Sequence, residues 1–333
     1  MTRTEQLNTA QANKRDEFYT QLQDIEAELT HYKRHFAGKV VYCNCDDPRT
    51  SNFTLYFRQH FHELKLRKLI SSCYRPDSMS LFGGDSSRPA VYLEYDGTAE
   101  SDVLKELKGN GDFRSSECIK LLDSSDIVVT NPPFSLFREF LRKLVAHDKK
   151  FIVIGNVNAV SYKECFSMIQ EGKMWLGCSI HSGDREFRVP VDYPLEAAKV
   201  RIDEAGNRYI NVKGVRWFTN LEYDCERIVL NLTKHYTPEQ YPKFDNVNAI
   251  NVGKTKDIPL DYNGLMGVPI TFLDKFNPRQ FTIVGNEYML AVPGGRCYLN
   301  GQRMYSRIFI RRTADAKMRR LHLPDTVPVN TGM

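Results

Sequence analysis

A short apolar run, Ile127, Val128, Val129 and Thr130, stops at Asn131, Pro132, Pro133 and Phe134. Two successive prolines fix φ and remove two backbone donors, so the chain can neither continue as an interior strand nor enter an ordinary helix there. The carbonyls at that corner are left free to accept hydrogen bonds from something else. Leu136, Phe137, Phe140, Leu141 and Leu144 then follow at helical spacing. Strand, rigid polar corner and helix in that order restrict the chain to an α/β arrangement with the corner at a strand end.

The tetrapeptide Asn131 to Phe134 resembles the catalytic motif of the amino-methyltransferases, which move a methyl group from S-adenosylmethionine to an exocyclic or amide nitrogen. The residue types suit that chemistry. An adenine N6 amine is a poor nucleophile because its lone pair is delocalised into the ring. If the side-chain oxygen of Asn131 and the carbonyl of Pro132 accept its two hydrogens, the lone pair is freed and aimed; positioning does most of the work, and no strong base is required. Phe134 would stack on the base and hold it out of the duplex. A plain proline turn is the structural alternative, and the flanking strand and helix favour the functional reading.

At 333 residues the chain exceeds one typical domain, so a catalytic domain plus a second lobe is expected. With 41% hydrophobic and 26% charged residues it has ordinary globular composition. No run approaches a membrane span and the first residues lack a signal-peptide core, which points to a soluble, cytoplasmic protein. The eight cysteines (43, 45, 73, 118, 165, 178, 225 and 297) include no Cys-x-x-Cys pair, so buried reduced thiols are expected and no metal site is assigned. The net charge of +5 is uneven. Residues 201–333 hold 19 Lys+Arg against 13 Asp+Glu, a net +6, which leaves −1 for the rest. Arg296, Arg303, Arg307, Arg311, Arg312, Lys317, Arg319 and Arg320 lie close together in that half, as a polyanion-binding lobe would require.

Taken in order, residues 1–13 are polar, and Leu22, Ile25 and Leu29 form a helical stripe with Thr20 as a candidate N-cap. The nearly continuous apolar run 39–45 is the first strand. It ends at Asp46, Asp47 and Pro48, and Phe53, Tyr56, Phe57 and Phe61 then share a helical face. Strand, tight loop and helix present backbone amides to a nucleotide-like ligand. Further strands are expected at 66–74, 90–95 and 151–155, with helices at 115–122 and 162–171. Successive strand-helix units make the fold an α/β, doubly wound, mostly parallel sheet, Rossmann-like. Beyond about residue 190, short alternating runs (208–212, 215–219, 228–232) suggest an α+β C-terminal lobe. Lys254, Lys256 and Asn263, on a turn-rich segment, suit phosphate and base-edge contacts.

The resemblance is closer than the tetrapeptide. Residues 16–20, 40–48, 111–117, 125–137 and 251–272 together resemble the EcoRI-type adenine-specific DNA modification methylases. That family implies S-adenosylmethionine-dependent methylation of adenine N6 in a short duplex DNA site, by base flipping. Carried over, Asn131, Pro132, Pro133 and Phe134 are catalytic. Tyr19 and Thr20 lie at the methionine end of the cofactor, Asp46, Asp47 and Pro48 at its loop, and Asp112 and Phe113 at its adenine. Ser51 and Asn52 stand where other methyltransferases carry glycines. The organisation expected is 1–38 contributing to the cofactor site, 39–190 catalytic, and 191–333 for target recognition, with Arg296, Arg303 and Arg307 at DNA. A restriction-modification context implies a cognate endonuclease that shares the site without forming a stable complex. The competing readings are methylation of RNA or of a protein glutamine, or a catalytically silent DNA-binding protein.

Overall fold

The computed structural model describes residues 19–75, 89–181, 184–189, 200–223 and 229–313. Residues 1–18, Ile228, Lys317, Arg319 and Arg320, which figure in the expectations above, lie outside them. The chain divides into two units, Met1–Cys225 and Glu226–Met333.

In the first unit, α1 (Leu22–Leu29) precedes β1 (Val40–Cys43), α2 (Asn52–Gln59), β2 (Lys68–Ser72), β3 (Val91–Tyr95) and β4 (Leu104–Glu106). Then come α3 (Ser116–Asp123), β5 (Ile127–Thr130), α4 (Phe137–Ala146), β6 (Lys150–Asn156) and α5 (Lys163–Gln170). The unit finishes with β7 (Trp175–Leu176), β8 (Asp184–Val189), β9 (Val200–Ile202), β10 (Arg208–Lys213) and β11 (Val215–Thr219). Eight strands form one sheet in the order β4-β3-β2-β1-β5-β6-β11-β7. The inner four, β2-β1-β5-β6, run parallel; β3 and β11 pair antiparallel with the outer two, and β4 and β7 pair antiparallel with β3 and β11 in turn.

β1 and β5 are buried along their whole length, the mark of strands covered on both faces. Alternation sorts their side chains. Val41, Cys43, Ile127, Val129, Ile152 and Ile154 join Ile25, Leu29, Phe53 and Phe57 of α1 and α2 in one core. On the other face lies α4, whose Phe137 meets Phe218 of β11 at 5.0 Å between ring centroids. Gly155 makes that approach possible, because a Cβ there would stand 2.5 Å from the Phe137 ring. Both faces of the parallel core are therefore layered with helix, as the doubly wound reading requires.

Several expectations are corrected. The first unit extends to Cys225, past the boundary expected near residue 190, because β11, buried at all five positions, pairs with β6 inside the main sheet. The separate three-stranded sheet β8-β10-β9 is an insertion between β7 and β11. Thr20 does not cap α1; Gln21 occupies that position without a side-chain bond. Six cysteines carry free thiols, but Cys178 is disulfide-bonded, contrary to the expectation of reduced thiols.

The second unit is built on β12 (Ile250–Asn251), β13 (Met266–Pro269) and β14 (Phe281–Asn286), a hairpin of β15 (Tyr298–Leu299) and β16 (Gln302–Arg303), and β17 (Arg307–Arg312). Its sheet runs β12-β13-β17-β14, over a core of Phe244, Ala249, Val292, Cys297 and Phe309. Among its described residues this unit holds strands and 3-10 turns and no α-helix, where an α+β lobe was expected. The strand expected at 228–232 does not form in its described residues. The side-chain amide of Gln280 takes its place as partner, accepting from Leu230 N at 2.8 Å and donating to Leu230 O at 2.9 Å.

Candidate active site

The chain leaves β1 for β2 on one side and later returns as β5 on the other, so strand order reverses between β1 and β5. In open α/β sheets ligands bind at such a switch point, beyond the carboxyl ends of the strands. Here β1 ends in the Asp46, Asp47, Pro48 loop and β5 ends in Asn131. Asn131 (9% exposed) and Pro132 are buried, and Pro133 and Phe134 are half-buried. Pro133 opens a 3-10 turn, Phe134–Leu136, which turns the chain into α4.

The two loops are joined by one carboxylate. Asp46 Oδ2 accepts from Thr130 Oγ1 at 2.5 Å, and Asp46 Oδ1 accepts from Ser51 Oγ at 2.7 Å. Its backbone is held by β2: Asp46 N donates to Ser72 O at 3.0 Å, and Ser71 Oγ donates to Asp46 O at 2.8 Å. Loss of solvent pushes the Asp46 carboxyl up to about 6, and the hydroxyls of Thr130 and Ser51 oppose that rise. Asp47 turns the other way, into a fork with Arg49 (2.9 and 3.1 Å) and towards Arg75 at 3.6 Å. The adjacent acids thus have separate surroundings that the sequence left undivided.

Ser51 and Asn52, which stand where glycines were expected, have side chains that hold the loop together. Ser51 is the N-cap of α2, its hydroxyl accepting from Phe53 N and Thr54 N. Asn52 Nδ2 donates to Thr20 O at 2.7 Å. The same short segment is pinned from its other side, where Tyr19 exchanges backbone hydrogen bonds with Arg188 of β8 at 2.9 and 3.2 Å. Thr20 is 4% exposed and its hydroxyl has no hydrogen-bond partner among the described residues, which fits a ligand supplying one.

Asp112 and Phe113 reach the same edge of the sheet, beside the end of β2. Arg75 N donates to Asn110 O at 2.7 Å, and Gly111 (φ +76°) packs so closely that a Cβ would lie 2.0 Å from the Cys73 carbonyl oxygen. Asp112 accepts a bidentate pair from Arg114 at 2.8 and 2.6 Å, which holds that guanidinium above its ordinary value. Phe113 is buried, edge-on to Phe140 of α4 at 5.2 Å, with Arg114 over its ring at 5.4 Å. Sequence reasoning missed Thr130, Arg114 and the roles of Ser51 and Asn52. Only Ser51 carried a local signal, as a serine directly before a helical pattern.

In the second unit, Lys254, Lys256, Asn263 and Arg303 are exposed or half-exposed. Arg296 is half-buried and paired with Glu287 at 3.2 Å. Arg307 is corrected: it is 6% exposed, its guanidinium donates to Asn251 Oδ1 at 3.3 Å twice, and desolvation lowers its pKa. It braces the sheet from inside.

Over residues 6–313 the chain matches the family model described as "Adenine-specific methyltransferase EcoRI". It is 49% identical over 313 residues to the Type II methyltransferase M.EcoRI of Escherichia coli, covering 92% of this chain and 95% of that one. It is 38% identical over 323 residues to the Type II methyltransferase M.MpnI of Mycoplasma pneumoniae, covering 92% and 97%. To M.MgeORF184P of Mycoplasma genitalium it is 37% identical, covering 92% and 98%. No solved structure matches it. Among the described residues no helix is long and apolar enough to cross a membrane.

Proposed function

The chain belongs to the EcoRI adenine-specific methyltransferase family and is a DNA methyltransferase; from that premise we propose that it methylates N6 of one adenine in a short duplex site, taking the methyl from S-adenosylmethionine. The observation that carries the reading is the meeting of the β1 loop and the Asn131 corner at the switch point, joined through Asp46 and Thr130.

The cofactor, when bound, supplies an electrophilic methyl. Thr20, whose buried hydroxyl has no partner among the described residues, fits its polar end, and Tyr19, Asp47, Pro48, Asp112 and Phe113 belong at the same edge of the sheet. The Asn131 side-chain oxygen and the Pro132 carbonyl accept the two hydrogens of the target amine, so its lone pair faces the methyl. The rigid diproline holds those acceptors in place before the substrate arrives, which removes reorganisation from the reaction step. Phe134, half-buried at the mouth, stacks on the adenine after it has rotated out of the duplex. The proton leaves the methylated nitrogen to water, since a methylated amine cation is a strong acid.

Lys254, Lys256, Asn263 and Arg303 belong on the DNA, Arg296 at the margin of that surface. A cytoplasmic setting and a restriction-modification context, with an endonuclease reading the same site without stable complex formation, complete the proposal. The test offers tritiated S-adenosylmethionine with duplex DNA, RNA and protein in separate reactions, followed by nucleoside analysis. Label in N6-methyladenine from DNA is expected; label in RNA, protein or a cytosine would overturn the reading.

A further inference from the structure

We propose that Asp46 is a positioning residue for the methyl-transfer step, acting on Asn131 through Thr130, and that it is not a ligand of the cofactor. The inference rests on the reading of Asn131 as the acceptor of the target amine. Three observations carry it. Each Asp46 oxygen already takes a hydroxyl, Thr130 on one and Ser51 on the other. The residue that donates to Oδ2 immediately precedes Asn131 and is itself fully buried. The Asp46 backbone is tied to β2 at both its N–H and its carbonyl, so the carboxylate is a fixed post against which the end of β5 is set. Asp47 lacks that link and is set against Arg49 and Arg75 instead.

The post has a specific load. β5 is a four-residue strand, and its last side chain is the final anchor before a corner whose prolines donate no backbone hydrogen bonds. Releasing the Thr130 hydroxyl lets the corner drift, and misplacement of about 1 Å is enough to cost roughly 100-fold in rate. The groups around the carboxylate are the hydroxyls of Thr130 from β5 and Ser51 from the start of α2, with the Ser71 hydroxyl on its carbonyl. The Cys43 thiol on β1, held well above its ordinary value by burial and by Asp46, lies close to the carboxylate, and the adjacent Asp47 is balanced by Arg49 and Arg75. A neutral thiol does not compete in mildly acidic solution, so loss of acceptor strength there traces to Asp46 protonation.

The experiment measures kcat and KM for S-adenosylmethionine and for a duplex oligonucleotide in Asp46→Asn, Thr130→Val, Thr130→Ser and the double variant Asp46→Asn with Thr130→Val. Asp46→Asn and Thr130→Val should each lower kcat by about 10- to 100-fold with KM for the cofactor within about threefold. The double variant should be no worse than either single one, because both cut the same bond. Thr130→Ser, which keeps the hydroxyl, should recover most of the rate. Wild-type kcat should fall as pH drops through about 6, and Asp46→Asn should be flat there. A raised KM for the cofactor with kcat intact, or additive effects in the double variant, would overturn the proposal. Asn131→Ala run alongside separates the two readings: if it alone stays active, the acceptor assignment has failed, and Asp46 has not been the fault.

Discussion

The Asp46 carboxylate sits in the fold at an energetic cost, and replacing it should reveal how much. Its folded value is about 6 against an ordinary 3.8, a difference worth about 3 kcal/mol at 1.36 kcal/mol per pH unit. The value is raised, so this group favours the folded state fully below pH 3.8, and that contribution disappears as pH rises through about 6. Between pH 4.5 and 7.5 the linkage relation gives a loss of about 2 kcal/mol in the wild type that Asp46→Asn does not share. The stability of the variant relative to the wild type should therefore improve by about that much across the range, whatever its starting offset. Both tryptophans, Trp175 and Trp217, lie in the first unit, so fluorescence-monitored urea unfolding at fixed ionic strength reports on the unit that holds the site. A relative stability that stays within about 0.5 kcal/mol from pH 4.5 to 7.5, or moves the opposite way, would refute the argument that desolvation dominates at Asp46.

Asn131→Ala should keep DNA and cofactor affinity and lose roughly 100-fold or more in kcat, as removal of one preorganised polar group does elsewhere; single-turnover kinetics would check it. Gly111→Ala should destabilise the first unit by about 3 kcal/mol, since it adds a strained positive φ to a clash with the Cys73 carbonyl. It should also raise the KM for S-adenosylmethionine by displacing Asp112 and Phe113. Replacing Lys254, Lys256 and Arg303 together should reduce the slope of log affinity against log salt by up to about 3, near one for each phosphate no longer neutralised. Arg307→Ala should leave that slope unchanged and instead cost about 1 to 3 kcal/mol of stability, because Asn251 loses a buried charged partner; parallel binding and melting measurements distinguish the two sets.

The parts of the fold that rest on local pattern were legible. Uninterrupted apolar runs announced β1, β5 and β6, an aromatic stripe at helical spacing announced α2, and the diproline placed the corner. What escaped depends on distant partners. β11 has the apolar character of a core strand, but nothing nearby in the chain tells that it crosses back to pair with β6 after a three-stranded insertion. The run at 228–232 has the alternation of a strand, but in its described residues Leu230 is bonded by a glutamine amide fifty residues away in the chain. Arg307 was counted with the surface cations because arginines are seldom interior, and only its pairing with Asn251 places it inside. Asp46 and Asp47 are chemically identical neighbours, and the direction in which the loop turns separates a carboxylate set against Thr130 from one set against two arginines.

The pinning of Tyr19 and Thr20 limits how small a working version of this enzyme can be made. The β8-β10-β9 insertion resembles an ornament that could be trimmed to a short link between β7 and β11. Its first strand, however, supplies both backbone hydrogen bonds that hold Tyr19. Cutting it away would remove both of those bonds and leave the Asn52 bond to the Thr20 carbonyl to hold the segment against the start of α2. A minimal enzyme has to carry the insertion with it.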